Sequence, residues 1–214
     1  MQIFLDSADL DQIRKFNQLG IVDGITTNPS IIFNAKSDLK TRIQEICAIV
    51  NGPVSSEVTV EDAEHMVKQG LEMASWAKNV YVKVPCTPNG LIAAKILNDQ
   101  GIKVNVTLIF NPIQALLAAK SGATLVSPFV GRLDEISDNG MDLVADIVEI
   151  FSNYNLKTKV LAASIRTNQH VIEAAKIGAD IVTLPPKLID QLLTHPLTTS
   201  GLAKFMDDSK NITI

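Results

Sequence analysis

The chain has 214 residues, a net charge of −4 and a hydrophobic fraction of 46%. This length predicts one domain, over residues 1–214, and the hydrophobic fraction excludes global disorder. The acidic balance argues against nucleic acid as a partner, and no apolar run reaches the ~20 residues of a membrane span, so we expect no membrane partner. With two cysteines and a start that lacks a basic region, the sequence predicts a reducing cytoplasm.

Short apolar runs alternate with amphipathic segments along the whole chain. Because strands that alternate with helices form parallel sheets, eight such units predict a (β/α)8 TIM barrel. An open doubly wound sheet is the alternative, but no G-x-G-x-x-G motif follows the first strand. The predicted strands are 3–6, 22–26, 53–58, 79–84, 103–108, 123–129, 159–164 and 180–184.

Helix signals fall between these runs. Ser7 is the predicted start of the first helix, and Asn111-Pro112 opens another with proline in its first turn. An additional helix at about 198–208 follows the eighth unit and packs either on the barrel or on a neighbouring subunit. Two helices show a face with i, i+3, i+4 spacing. Its members are Ala63, Met66, Val67, Gly70, Leu71 and Ala74 in one helix, and Leu143, Val144, Ile147, Val148 and Phe151 in the other.

Polar residues follow the predicted strands, at the barrel end where such enzymes carry their chemistry. Each also has an ordinary structural interpretation, such as a cap, a turn, a rim charge or a buried hydrogen-bond network. The eighth strand end, Thr183 to Pro186, is the least polar. The polar candidates are Asp6, Thr26, Asn28, Glu57, Lys83, Asn105, Thr107, Ser127, Arg132, Ser164 and Arg166.

Strand parity places several of these candidates on one face. Tyr81 and Lys83 share a face, and Ser164 and Arg166 share one if the seventh strand continues that far. The three histidines, His65, His170 and His195, are predicted to face solvent, and their spacing does not suggest a metal site.

Lys83 is the strongest single candidate because lysine is almost never fully buried unless it is paired. Its strand is otherwise apolar. One interpretation is an ion pair with Asp6 or Glu57, although such pairs add little stability for their desolvation cost. The favoured one is a desolvated amine that attacks carbonyl groups.

Six segments together carry a resemblance to a known family. They are FLDSAD at the start, GITTNPSI at 24–31, VYVKVP at 80–85, NVTLIF at 105–110, SPFVGRLD at 127–134 and LAASIRT at 161–167. In these segments the chain resembles the transaldolases, specifically the short-chain branch that also contains fructose-6-phosphate aldolases. The resemblance covers essentially the whole sequence.

The resemblance implies a class I enzyme of the pentose phosphate pathway. Such enzymes transfer a dihydroxyacetone unit from sedoheptulose 7-phosphate to glyceraldehyde 3-phosphate through a lysine Schiff base, here on Lys83. Asp6 matches the acid/base of the C–C bond step, and Glu57 with Thr107 matches the group that manages water loss. Dihydroxyacetone contacts are implied for Thr26, Asn28, Asn105 and Ser127, and a phosphate grip for Arg132, Ser164 and Arg166. The resemblance also implies sugar-phosphate substrates, no metal or organic cofactor, and a homo-oligomer, a decamer of two pentamers.

Phe129 and Glu57 bear on the choice within the family. Aldolases of this family typically carry Tyr and Gln at these positions, so the residues present here follow the transaldolase pattern. A fructose-6-phosphate aldolase is the alternative, and a non-catalytic phosphosugar-binding barrel is an alternative of another class.

Overall fold

Eight parallel strands close a barrel in chain order in the computed structural model, which describes residues 1–210 and 212. The first strand pairs with both the second and the eighth, so the sheet has a closed ring of strands. The predicted (β/α)8 barrel is confirmed. Its strands are β1 (Gln2–Asp6), β2 (Gly24–Thr26), β3 (Val54–Glu57), β4 (Val80–Pro85), β5 (Val104–Ile109), β6 (Leu125–Pro128), β7 (Lys159–Ala162) and β8 (Ile181–Leu184).

Helices follow every strand, and several begin with proline in the first turn behind an asparagine or threonine cap. The first helix is capped by Asp9, and not by Ser7 as predicted. The Ser7 hydroxyl instead accepts a hydrogen bond from the Asp9 backbone amide. Within the described residues, no helix is long and apolar enough to cross a membrane. The helices are α1 (Leu10–Gln18), α2 (Pro29–Asn34), α3 (Leu39–Ile49), α4 (Ala63–Ala74), α5 (Pro88–Asp99), α6 (Pro112–Lys120), α7 (Val130–Asp134), α8 (Gly140–Asn153), α9 (Asn168–Ile177), α10 (Pro186–Leu192) and α11 (Pro196–Ser209).

The helix faces agree with the predicted spacing except in α4. There Leu71 is exposed and Met73 is fully buried, where it contacts the Ser56 hydroxyl of β3. The buried stripe of α4 therefore passes through Met66, Gly70 and Met73. In α8 the predicted face is confirmed, with Leu143, Val144, Ile147 and Phe151 buried.

An apolar cluster fills the lower part of the barrel interior. Phe4 is completely buried there, and its ring lies 2.7 Å from where a Cβ on Gly24 would be, so only glycine leaves room for it. The cluster consists of Phe4, Leu125, Leu161, Ala163 and Ile181, with Tyr81 and Phe129 packed against it. The polar residues at the strand ends therefore lie above an apolar floor, on the side that faces the open end of the barrel.

Candidate active site

Lys83 lies inside the barrel on β4, with 4% of its surface exposed. Its Nζ is 3.0 Å from Oε2 of Glu57, its register partner on β3, and it donates a hydrogen bond of 3.2 Å to the Thr27 carbonyl. The ammonium is therefore paired, which is the condition under which lysine is tolerated in a barrel interior. The neighbouring Val82 and Val84 point outward into the layer between barrel and helices.

Asp6 ends β1 and is the register partner of Thr26 on β2. The Thr26 hydroxyl donates a hydrogen bond of 2.7 Å to Oδ1 of Asp6. Burial raises the pKa of the Asp6 carboxyl above its usual value, although the Thr26 hydrogen bond and the charges of Lys83 and Arg166 oppose this effect. A carboxyl group with a raised pKa, close to a cationic amine, is suited to moving protons.

Asn105 of β5 lies in a buried hydrogen-bond chain that fixes its amide. It donates to the Ser55 hydroxyl at 3.1 Å and accepts from the Ser127 hydroxyl at 2.7 Å. Thr107, two residues along the same strand, is also buried, and its hydroxyl has no hydrogen-bond partner in the described part of the chain. A buried polar atom without a partner is costly, so the Thr107 hydroxyl is suited to binding a small polar group.

β5 contains a bulge just after Thr107. Val106 pairs with Val126, but Ile109 pairs with Pro128, so β5 has one extra residue, and Leu108 takes the left-handed conformation with φ 58°. The bulge places Ile109 in the helix layer and brings the Phe110 ring edge-on to Phe129, 6.0 Å between centroids.

Phe129 connects this aromatic pair to the lysine. Its ring centroid lies 6.0 Å from Nζ of Lys83, and the residue packs against the apolar floor of the barrel. The rings therefore form an apolar wall beside the amine.

The seventh strand is shorter than predicted. β7 ends at Ala162, Ala163 points into the barrel, and Ser164 has φ 58°, so the strand does not continue far enough for Ser164 and Arg166 to share a face on it. Gly131 of α7 packs against this turn, where an added Cβ would lie 2.4 Å from the Ser164 carbonyl. This close approach brings Arg166 and Arg132 together by another route.

Arg132 and Arg166 share one counter-ion. The carboxylate of Glu135 lies 3.3 Å from Arg132 and 3.2 Å from Arg166, and more than half of each arginine side chain is exposed. Two guanidinium groups directed at one carboxylate form a site whose geometry also suits a phosphate group.

A cavity of about 240 Å³ joins these parts. Glu57 and Asn105 adjoin it through Lys83 and Ser127, respectively. The structure thus brings predicted site residues together, although they come from seven of the eight strand ends. Those that line the cavity are Asp6, Thr26, Asn28, Lys83, Ser127, Phe129, Arg132, Ser164 and Arg166.

A sequence model of the transaldolase/fructose-6-phosphate aldolase family matches residues 3–213. The chain belongs to this family. Similar relatives named "Probable transaldolase" come from Nitrosopumilus maritimus strain SCM1, with 54% identity over 99% of this chain and 96% of the relative, and from Methanococcus maripaludis strain C7, with 53% identity over 97% of both chains. A third, from Leptospira biflexa serovar Patoc, is 53% identical over 99% of both chains.

The sequence did not predict one of the buried polar residues that line the cavity of this family member. Thr183, from the strand end considered least polar, is 3% exposed, lines the cavity and lies 2.6 Å from the Thr26 hydroxyl. Its place two residues after the inward-facing Ile181 was the available signal.

The histidine prediction was wrong for one residue. The His170 side chain is 15% exposed, and its Nε2 lies 3.3 Å from Asp134 at the end of α7. His65 and His195 are exposed, as predicted. Among the described residues, no group of histidine, cysteine and acidic side chains could hold a metal ion.

Proposed function

We propose that this family member is a transaldolase that transfers dihydroxyacetone between sugar phosphates of the pentose phosphate pathway. In the proposed direction, sedoheptulose 7-phosphate and glyceraldehyde 3-phosphate give erythrose 4-phosphate and fructose 6-phosphate. The observation that carries the proposal is the buried amine of Lys83, which lines a cavity and pairs with the carboxylate of Glu57. The names of the relatives support the same activity.

In the first stage, the Lys83 amine attacks C2 of the ketose. Glu57, 3.0 Å from Nζ, first takes a proton from the ammonium. As the C–N bond forms, the C2 carbonyl oxygen takes a second proton from the attacking nitrogen and becomes a hydroxyl. Glu57 then returns its proton to that hydroxyl, which leaves as water. The Thr107 hydroxyl, buried on the adjacent strand, is suited to hold that water. The product is an iminium between Nζ and C2.

In the second stage, Asp6 takes the proton of the C4 hydroxyl. The C3–C4 bond breaks, its electron pair moves to the iminium, and an enamine remains on Lys83 while the aldose leaves. The acceptor aldehyde then reacts with the enamine, and Asp6 returns its proton to the new hydroxyl. Water hydrolyses the iminium that results, by the reverse of the first stage, and this releases the product ketose from Lys83. A carboxyl whose pKa is raised by burial suits both directions of this transfer.

Arg132, Arg166 and Ser164 hold the phosphate in this proposal. The arginines lie at the rim of the cavity, and an incoming phosphate would replace the Glu135 carboxylate between them. Guanidinium groups match phosphate oxygens bidentately, which favours arginine over lysine here.

The acceptor requirement distinguishes transfer from simple cleavage. With fructose 6-phosphate and erythrose 4-phosphate, we expect sedoheptulose 7-phosphate; with fructose 6-phosphate alone, we expect little free dihydroxyacetone. Equal cleavage with and without acceptor would identify an aldolase instead. Absence of both products would contradict an enzymatic role.

We also propose that α11 packs on a neighbouring copy of the chain in a homo-oligomer. All residues of α11 are described and none is buried. Its large apolar side chains are exposed by 60% to 74%, an unfavourable arrangement unless another surface covers them. They are Leu197, Leu202, Phe205 and Met206.

A further inference from the structure

Two buried hydroxyl groups form a hydrogen-bond chain that ends at the carboxylate of Asp6. Thr26 and Thr183 are each 3% exposed, and their hydroxyl oxygens are 2.6 Å apart. Thr26 in turn lies 2.7 Å from Asp6. β1 lies between β2 and β8, so the two threonines reach each other inside the barrel, across the strand that ends in Asp6.

The direction of these hydrogen bonds follows from the number of protons. A hydroxyl has one proton to donate, and an ionised carboxylate can only accept. When Asp6 is ionised, the Thr26 hydroxyl donates its hydrogen bond to Asp6, so the Thr183 hydroxyl must donate a hydrogen bond to Thr26. When Asp6 has taken a proton, the chain can reverse, with Asp6 donating to Thr26 and Thr26 donating to Thr183.

We propose that Thr183 is a positioning residue that acts through Thr26 to keep the Asp6 carboxyl hydrogen-bonded and oriented in both of its charge states. The inference rests on the proposed function, in which Asp6 moves the proton of the C4 hydroxyl. A purely space-filling role for Thr183 would need only its shape, which valine reproduces. The two roles therefore differ in what valine and serine do at this position.

Charged groups from several other elements also face Asp6. Lys83 from β4 and Arg166 from the loop after β7 favour its ionised form, whereas Glu57 from β3 and burial disfavour it. The Thr26 hydrogen bond is the largest of the contributions that lower the pKa of Asp6, ahead of both cations. Removing the Thr183 hydroxyl, which polarises that of Thr26, should therefore weaken the hydrogen bond from Thr26 to Asp6. Burial would then raise the pKa of Asp6 further.

The test is the pH dependence of kcat/KM for fructose 6-phosphate, with erythrose 4-phosphate as acceptor. Asp6 must be ionised to accept the C4 proton, so Thr183→Val should move the acid limb to higher pH. At pH values below the limb, kcat/KM of Thr183→Val should be roughly tenfold lower than that of the native protein, a part of what a positioned acid or base contributes. Thr183→Ser, which keeps the hydroxyl, should restore the native limb.

Two results would overturn the role of Thr183. One is an acid limb in Thr183→Val that coincides with the native limb. The other is a Thr183→Ser variant that shifts as valine does, which would indicate a requirement for the methyl group. If Thr183→Val does not fold, as judged by thermal unfolding, Thr183→Ala replaces it in the comparison.

A double-mutant cycle tests that Thr183 acts through Thr26. Adding Thr183→Val to Thr26→Val should not shift the acid limb further, whereas independent effects would add. Trapping with borohydride separates this inference from the proposed function, because the Schiff base forms before Asp6 acts. Thr183→Val should still give the Lys83 adduct; a native protein without adduct would contradict the function, and a native adduct with an unmoved limb would contradict only the positioning role.

Discussion

Lys83 and Glu57 form an ion pair of 3.0 Å in which the side chains are only 5% and 14% exposed. They are register partners on adjacent strands, so the backbone itself sets their closeness. A buried pair of this kind seldom adds net stability, since the desolvation of two charges offsets their attraction. A nucleophilic role for the Lys83 amine explains the pair better, and variants of the surrounding residues test this explanation.

Asp6→Asn should raise stability at neutral pH while abolishing most activity. Burial raises the pKa of Asp6, so the folded state binds this proton more tightly than the unfolded state. The native protein therefore loses stability relative to Asp6→Asn as pH rises from the usual carboxyl value of 3.8 through the raised pKa. Thermal unfolding across this range checks the sign, and kcat should fall by roughly 10²- to 10⁴-fold.

Asp62→Asn is the matched control for that measurement. Hydrogen bonds from His65 lower the pKa of the exposed Asp62, so its ionised form favours the fold and the variant should gain no stability at neutral pH. An Asp6→Asn variant that is less stable than the native protein at pH 7 would refute the account of Asp6.

Glu135→Gln should tighten the binding of sugar phosphates. Removing this carboxylate releases Arg132 and Arg166 from their shared partner. The KM for fructose 6-phosphate should fall by about two- to fivefold, the range expected from exposed ion pairs. Glu149→Gln, an exposed carboxylate on α8, is the control and should leave KM unchanged. A raised KM in Glu135→Gln would mean that Glu135 instead orients the arginines for phosphate.

Phe129→Tyr should raise the release of free dihydroxyacetone relative to transfer. The Phe129 ring lies 6.0 Å from the Lys83 amine, so an added hydroxyl would help a proton reach the enamine. Product analysis with fructose 6-phosphate and no acceptor measures the change, and roughly a tenfold increase is expected from a modestly placed acid. Phe110→Tyr, the other ring of the pair, is the control; an unchanged release in Phe129→Tyr would show that the hydroxyl has no such effect.

Leu202→Asp combined with Phe205→Asp should reduce the mass of the assembly. Both side chains are exposed on α11 and would be covered in the proposed homo-oligomer. Light scattering after size-exclusion chromatography measures the mass, with Lys204→Glu on the same helix as control. A native protein that already has the mass of one chain would contradict the proposed oligomer.

The barrel was predictable from sequence because its signals are local and repeated. Alternating apolar runs and capped helices mark each unit, and a lysine within an apolar strand identifies Lys83 without knowledge of its neighbours. Strand ends of a parallel barrel meet at one face, which is why Asp6 and Arg166, 160 residues apart in sequence, could be placed in one site.

Other features depend on contacts that the sequence does not display. Thr183 looks like an ordinary strand threonine until β1 brings it next to Thr26. The backbone of Ser164 takes the left-handed conformation, so the strand does not continue to Arg166. Glu135 joins the two arginines because α7 packs closely on that turn. Local patterns contain no information on these approaches, so tertiary structure was needed to find them.

Borohydride reduction in the presence of fructose 6-phosphate, followed by peptide mass spectrometry, tests the central claim most directly. The account predicts a reduced sugar adduct on the peptide that contains Lys83, and loss of that adduct in Lys83→Arg. A native protein without any adduct, or with its adduct on a different lysine, would contradict the assignment of Lys83 as the Schiff-base residue.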